Sequence, residues 1–314
     1  MIDKKVGERI GVCISGGGAK IGFAVGVLEV MEEHKIKIDL AYGISSGSIC
    51  TAGLCYGDVA FLEKTLLAIR KRSDVLKRQW VKAIWTLATG WGKADGWYEM
   101  DTMRQKLDSL PLDKPRMKGV VGYVNLQTGN MVYTDSRSVS KKEFLDAVQA
   151  SCSIPFYMQS QRVGMDNNVD GGVRDILPLK ALVEDPLNVD EIHVICLSPV
   201  ATPPTDITYK NILQVAGRSV DLLTNDALQN DYGYADLINK LVDYRSSLSF
   251  SVELQDWLAD KRKVRLFKYV PTESVCETTD FRTEMIQKGI EHGRKIASEV
   301  LKDYRPAPAK AAIP

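Results

Sequence analysis

The chain has 314 residues, 45% apolar and 26% charged, with 41 Lys and Arg against 40 Asp and Glu. That is an ordinary globular composition with room for one large α/β domain, and a net charge of +1 gives no global field to recruit nucleic acid. Three histidines argue against a His-rich metal site, so no metal or other cofactor is expected.

The six cysteines (Cys13, Cys50, Cys55, Cys152, Cys196, Cys276) are scattered without a C-x-x-C pair. They read as buried free thiols of a reducing, cytoplasmic compartment. No stretch approaches about 18 uninterrupted apolar residues, so no membrane span is expected. Met1-Ile2-Asp3-Lys4-Lys5 leads into no apolar signal-peptide core.

A first core strand is predicted over Ile10 to Ile14. It ends in Ser15-Gly16-Gly17-Gly18-Ala19-Lys20, and a helical pattern (Phe23, Val27, Val30, Met31) follows from Gly22 to Met31. Strand, glycine run and helix form the layout of an anion-binding loop, because glycines leave backbone N–H groups bare. The loop is not a nucleotide motif. It lacks the Gly-Lys-Ser/Thr ending of a P-loop, and a G-x-G-x-x-G starting at Gly16 meets Ile21 at its last position. A phospholipid phosphate or an acyl oxyanion suits it better. The plainer alternative is a tight turn with no ligand.

A second strand is predicted over Ile36 to Tyr42, then Gly43-Ile44-Ser45-Ser46-Gly47, then a small, apolar helix from Ser48 to Leu54. G-x-S-x-G between a strand and a helix is the pattern of a nucleophile elbow. Glycines at both ends avoid collision with neighbouring backbone. The helix N-terminus beside Ser45 favours the anion formed in acyl transfer. The elbow follows the glycine run by about 25 residues, room for one crossover helix between parallel strands. Both motifs then stand at the C-terminal ends of adjacent strands.

Val59 to Trp97 carries eight basic residues and four tryptophans (Trp80, Trp85, Trp91, Trp97) around an apolar face of Leu62, Leu66, Ile69 and Leu76. It reads either as a helix packed over the core or as a cap or lipid-facing segment. A capped helix is expected over Gly96 to Leu110 with Asp101 as N-cap. A hairpin turns at Gln127-Thr128-Gly129, and Ser140-Lys141-Lys142-Glu143 is a capping box opening a helix to about Ser151. A short strand is expected near Ser160 to Val163.

Asn167-Asn168-Val169-Asp170-Gly171-Gly172-Val173 is a turn that can project Asp170 into a cleft. Further on, strands are predicted over Glu191 to Ser198 and Val264 to Val270. Helices are predicted over Lys210 to Asp231, within Tyr234 to Asp260, and from about Asp280 to Tyr304. Residues 1–305 read as a single domain and 306–314 as a disordered tail.

A serine nucleophile needs a base. Ser45, Asp170 and His292 satisfy the Ser, acid, His order of α/β-hydrolases on paper. Against that triad, at most two strands precede Ser45, and His292 lies in a helical pattern that puts it on the surface. His193 and His34 lack a turn context. The other candidate is Asp170 acting directly on Ser45. An ordinary carboxylate near pKa 4 is a weak base, so such a dyad needs a dry cleft and an oxyanion hole.

Three blocks in this order and spacing, Gly16 to Lys20, Gly43 to Gly47 and Asp170-Gly171-Gly172, resemble the patatin-like phospholipase family. Gly26-Val27-Leu28 and Ala150-Ser151-Cys152-Ser153-Ile154-Pro155 also look like family segments, and the likeness runs over roughly residues 9 to 200. It implies a three-layer α/β/α sandwich with a mostly parallel central sheet. It also implies a Ser45–Asp170 dyad and an oxyanion hole from the glycine run Gly16, Gly17 and Gly18, with Gly17 and Gly18 as donors. Gly43, Gly47, Gly171 and Gly172 are the motif glycines. Lys20, Ile21 and Ser46 are the expected substrate contacts; Ile21 departs from the family's usual Gly and bears on substrate size.

The implied activity is metal-free hydrolysis of a phospholipid or lysophospholipid ester through an acyl-enzyme, at a membrane surface to which the protein is peripheral. An acyltransferase and a catalytically silent lipid-binding module are the rival readings.

Overall fold

A computed structural model describes residues 9–89, 96–199, 208, 215, 218, 222, 237, 239–243 and 263–305. The expected helices at Lys210 to Asp231 and Tyr234 to Asp260 lie almost wholly outside these residues, and the tail 306–314 entirely so.

Strand β1 (Ile10–Ile14) leads through the glycine run into α1 (Ile21–Glu33). Next come β2 (Leu40–Ile44) and α2 (Ser46–Tyr56). The second strand thus begins and ends later than its apolar run predicts, because Lys35 takes a positive φ and the turn extends to Asp39.

The segment expected as one amphipathic helix is divided. It holds α3 (Val59–Leu67), a 3-10 turn at Arg72–Asp74, β3 (Lys77–Arg78), α4 (Trp80–Thr89) and β4 (Gly96–Glu99). The break has a local cause: the Asp74 carboxylate accepts the backbone N–H groups of Arg70 at 2.9 Å and Lys71 at 3.2 Å, competing with helical bonding. Residues 96–99 are strand rather than helix, since β4 pairs with both β3 and β7 (Phe156–Met158). Helix α5 (Asp101–Asp108) therefore starts one residue after Met100, and Asp101 is its first residue, not its cap.

The hairpin of β5 (Lys118–Asn125) and β6 (Met131–Asp135) turns at Gly129, with φ of 69°. Ser140 caps α6 (Lys141–Ser151) in the expected box with Glu143. Then follow β8 (Gln161–Val163), β9 (Asp166–Asp170), α7 (Leu179–Val183), β10 (Glu191–Ile195), β11 (Arg265–Tyr269) and α8 (Thr283–Val300).

The central sheet runs β11-β10-β1-β2-β5-β9-β8, with β6 paired to β5. Strands β11, β10, β1, β2 and β5 are parallel to their neighbours, while β6, β9 and β8 enter antiparallel. Alternating side chains feed two cores. Val12 and Ile14 join the layer of α1, α2, α6 and α8, whereas Cys13, Leu40, Tyr42 and Ile44 join the layer of α7. This is a mixed α/β fold with helices on both faces of the sheet.

Helices α1 and α8 pack backbone to backbone. A Cβ at Gly26 would stand 2.0 Å from the Ile290 carbonyl oxygen, and one at Gly293 would stand 2.1 Å from that of Phe23. Phe23, Ile286 and Ile290 are buried around that contact, each worth roughly 1.5–3 kcal/mol. Arg294 bridges Glu29 and Glu33 across it at 2.6 Å. The pairing holds the chain just before α8 against the glycine run, where Ala19 N–H donates to Thr278 at 2.8 Å.

Candidate active site

Strand β5 brings the two motif residues together. Ile44, the last residue of β2, pairs with Gly122, and Asp170, the last residue of β9, pairs with Tyr123. Strand β6 pairs with both Gly122 and Tyr123, so it occupies the opposite edge of β5. β2 and β9 therefore share one edge and end head to head on adjacent residues. Ser45 follows one end, and Asp170 is the other.

Ser45 sits at φ 52° and ψ −127°, a left-handed conformation that a non-glycine residue holds only at a cost of order 1–3 kcal/mol. Its surroundings impose that geometry. A Cβ at Gly43 would stand 2.3 Å from the Gly47 carbonyl oxygen, and one at Gly47 would stand 2.4 Å from that of Ile14. Ser45 N–H donates to Ser151 Oγ at 2.9 Å, and Ser151 in turn donates to the Gly122 carbonyl at 2.6 Å. The Ser45 carbonyl accepts from Ser48 Oγ at 2.5 Å and Cys152 Sγ at 3.1 Å.

Asp170 is anchored by the same segment. Its N–H donates to the Ser153 carbonyl at 2.9 Å, and its Oδ1 accepts from Gly172 N–H at 2.8 Å. Ser151, Cys152 and Ser153 thus hold both the nucleophile and the acid. Their sequence signal was the small-residue run before Ile154-Pro155, and no spacing rule assigns them that role.

Asp170 is 4% exposed and Ser45 is 5% exposed. Burial raises the Asp170 pKa from 3.8 to about 7, against lowering by the Ser45 hydroxyl and the Gly172 N–H. Oδ2 is buried and has no hydrogen-bond partner, while the nearby Ser45 hydroxyl pulls the Asp170 pKa down against its burial. Catalytic hydrogen bonds are often long or poorly aligned before a substrate binds.

None of the three histidines bonds to either residue. His292 pairs with Thr272 at 3.1 Å and packs edge-on to Phe23. His193 lies between Glu191 at 2.6 Å and Tyr269 at 2.7 Å, and His34 bonds to the Val30 carbonyl.

The glycine run lies against the elbow. A Cβ at Gly16 would stand 3.0 Å from that of Ser45 and 2.4 Å from Ile176 Cδ1. Gly16 does not fit the expected role of anion donor, because its N–H is committed to the Ile176 carbonyl at 3.1 Å. The N–H groups of Gly17 and Gly18 donate to no described residue. Gly18 has φ of 58°, and a Cβ there would meet the Thr278 carbonyl oxygen at 2.3 Å. Lys20, expected to contact substrate, is outside the cavity described next, and its Nζ donates to Ser198 at 2.9 Å.

A narrow apolar channel of about 80 Å³ opens at Ser45. Gly18, Ile21, Ser46 and Cys152 line it near the elbow, Leu62 and Leu66 of α3 and Met103 and Leu107 of α5 line it further out, and Lys106 is its one charged lining residue. Ser46 Oγ is buried there without a hydrogen-bond partner. The apolar face of the segment after Val59 therefore makes a channel wall, which its helical spacing alone did not distinguish from core. On α4 the face is different: Val81, Ile84 and Trp85 are 62%, 48% and 64% exposed. Among the described residues, no group of three or more His, Cys, Asp or Glu could hold a metal ion, and no helix is long and apolar enough to cross a membrane.

A serine elbow at the end of a parallel strand, facing a buried carboxylate on the same sheet, defines an α/β protein of the hydrolase kind. The model of the patatin-like phospholipase family matches residues 12–183, more than half of the chain, and the chain belongs to that family. Membership supports lipid hydrolase activity. Among solved structures, VipD from Legionella pneumophila is similar at 12% identity over 93% of this chain and 67% of that one, with a TM-score of 0.45. Human GIVD cytosolic phospholipase A2 is similar at 10% identity over 96% of this chain, with a TM-score of 0.44. The chain spans 61% of the length of the human protein.

Proposed function

We propose that the protein is a serine lipid acyl hydrolase of the phospholipase A or lysophospholipase type, working through a Ser45–Asp170 dyad. The observation that carries this reading is the buried, partnerless Oδ2 of Asp170 beside Ser45, where an apolar channel opens. A carboxylate raised to about 7 is a far better base than an ordinary aspartate.

Asp170 accepts the Ser45 proton as Oγ attacks the ester carbonyl. The tetrahedral oxyanion takes hydrogen bonds from Gly17 and Gly18 N–H and lies at the N-terminus of α2. Collapse expels the alcohol, which leaves with the proton from Asp170, and the acyl group stays on Ser45. Asp170 then takes a proton from water, whose attack on the acyl carbonyl releases the fatty acid as that proton returns to Ser45 Oγ. The channel takes the acyl chain, with Ile21 and Ser46 at its mouth. The exposed apolar ridge of α4 supports peripheral contact with lipid. Six free cysteines support a reducing, cytoplasmic setting.

The test is fluorophosphonate labelling combined with hydrolysis of short-chain esters and dispersed phospholipid. Wild type labels and turns over, and Ser45→Ala does neither. Labelling that survives in Ser45→Ala, or an unlabelled and inactive wild type, overturns the reading.

A further inference from the structure

Leu76 and Phe281 line the apolar channel and also line a second, larger hollow of about 670 Å³. Its character is opposite. Arg70, Lys71, Arg72, Lys77, Arg78 and Arg282 surround it, with Glu277 and Asp280 as the acids among the described lining residues. The whole chain carries just +1, whereas six cations gather around this hollow. These cations come from two distant stretches, residues 70–78 and residue 282.

Two nearby carboxylates are engaged. Asp280 accepts from Arg282 at 2.9 and 2.6 Å, and Asp74 accepts the Arg70 and Lys71 backbone N–H groups. Arg70 and Lys77 form no ion pair with a described residue. Arg72 is held in place by three bonds: Nε to the Thr279 carbonyl at 3.1 Å, Nη2 to Thr279 Oγ1 at 3.1 Å, and Nη1 to Tyr98 OH at 3.3 Å. Burial pushes the Tyr98 phenol up, yet hydrogen bonds from Arg72 and Arg78 outweigh it and the net shift is down.

The residues from Arg70 to Ser73, with Lys77 and Arg78, are exposed, so folding does not require their charges to converge. Two unit charges 4 Å apart repel by about 1 kcal/mol even in water. Guanidinium forks beside ammonium groups match the several oxygens and double charge of a phosphate. A localised basic hollow suits a compact anion rather than the long basic stripe that follows a nucleic-acid backbone.

We propose that this hollow is a binding site for a phosphomonoester or pyrophosphate anion, borne on a lipid headgroup or free in solution. The site is separate from the dyad and shares a wall with the channel.

The test is direct binding by the full-length chain in a Ser45→Ala background, which consumes no lipid. The readout is independent of hydrolysis, so it stands or falls apart from the catalytic reading. Calorimetry with inorganic pyrophosphate is expected to show saturable, salt-weakened binding. The triple variant Arg70→Gln, Lys77→Gln, Arg78→Gln is expected to lose at least about tenfold in affinity, about 1.4 kcal/mol, at an unchanged thermal midpoint. Arg70→Gln and Arg78→Gln singly serve if the triple variant is unstable.

Sedimentation with phosphatidylcholine vesicles carrying phosphatidic acid or phosphatidylserine at equal charge separates the sources. Preference for phosphatidic acid, competed by pyrophosphate, identifies a lipid headgroup. Pyrophosphate binding without that preference identifies a soluble ligand. No saturable pyrophosphate binding, or binding unchanged in the variants, overturns the proposal.

Discussion

Replacing Asp170 by Asn is expected to make the protein more stable and nearly inactive, and the size of the stability gain follows from the burial of the carboxylate. Its pKa is raised from 3.8 to about 7, so the folded state binds the Asp170 proton more tightly than the unfolded state does. The stability this group contributes is therefore complete below the unfolded value and lost as pH rises through about 7. A rise of about three units corresponds to roughly 4 kcal/mol between the two limits. Between about pH 5 and about pH 8 the loss is roughly 2–3 kcal/mol.

Asn carries no charge to desolvate and keeps an oxygen for Gly172 N–H. In urea denaturation at those two pH values, the margin of Asp170→Asn over wild type should therefore widen by roughly 2–3 kcal/mol at the higher pH. Activity should fall by about 10²–10⁴-fold, with the oxyanion donors left to supply the residue. In wild type, kcat/KM should rise with pH along a limb centred near 7. A margin independent of pH, or a variant that turns over like wild type, would refute the burial of a working base at this position.

The other expectations concern the framework. Ser151→Ala removes the acceptor of Ser45 N–H and the donor to Gly122; denaturation should show a loss of about 1–3 kcal/mol, with kcat lowered alongside. Gly18→Ala forces a side chain to within 2.3 Å of a carbonyl oxygen at positive φ, so kcat on any ester should fall by about 10²–10³-fold through displaced oxyanion donors. Leu107→Trp fills the outer channel, and hydrolysis of long acyl esters should drop while short ones are spared in a chain-length series. His292→Ala loses only the Thr272 bond and the Phe23 ring contact, so steady-state kinetics should be unchanged; a large loss there would revive the triad.

The motifs were legible because each depends on local chemistry. Glycines at 43 and 47 report close backbone approach, and Gly16 to Lys20 follows a strand and precedes a helix. The Ser140 box and the Gly129 turn were legible for the same reason, since their hydrogen bonds close within a few residues. What the sequence obscured was non-local. Gly16 looks like its neighbours, but its N–H is taken by Ile176, 160 residues away along the chain. Residues 96–99 pair with β7, more than fifty residues later, and that pairing overrides a helical reading. Apolar spacing in α3 marks a buried face but does not say whether side chains or an empty channel lies opposite.

The site also explains why so few residues suffice for it. In the proposed dyad, Ser45 and Asp170 are oriented by the sheet and one short segment rather than by a third side chain. Adjacent β5 residues set where each strand ends, and residues 151–153 bind Ser45 N–H, Ser45 C=O and Asp170 N–H. Those are backbone bonds, so of the two side chains only Asp170 spends an oxygen on positioning, its Oδ1 accepting from Gly172 N–H. Oδ2 stays buried and unmatched; burial raises the pKa, and on the proposed mechanism Oδ2 is the acceptor for the serine proton. A histidine in this position would need room and a second carboxylate to hold its tautomer. A Cβ at Gly16 or Gly172 would stand 2.4 and 2.8 Å from Ile176 Cδ1, so neither position could carry such a side chain.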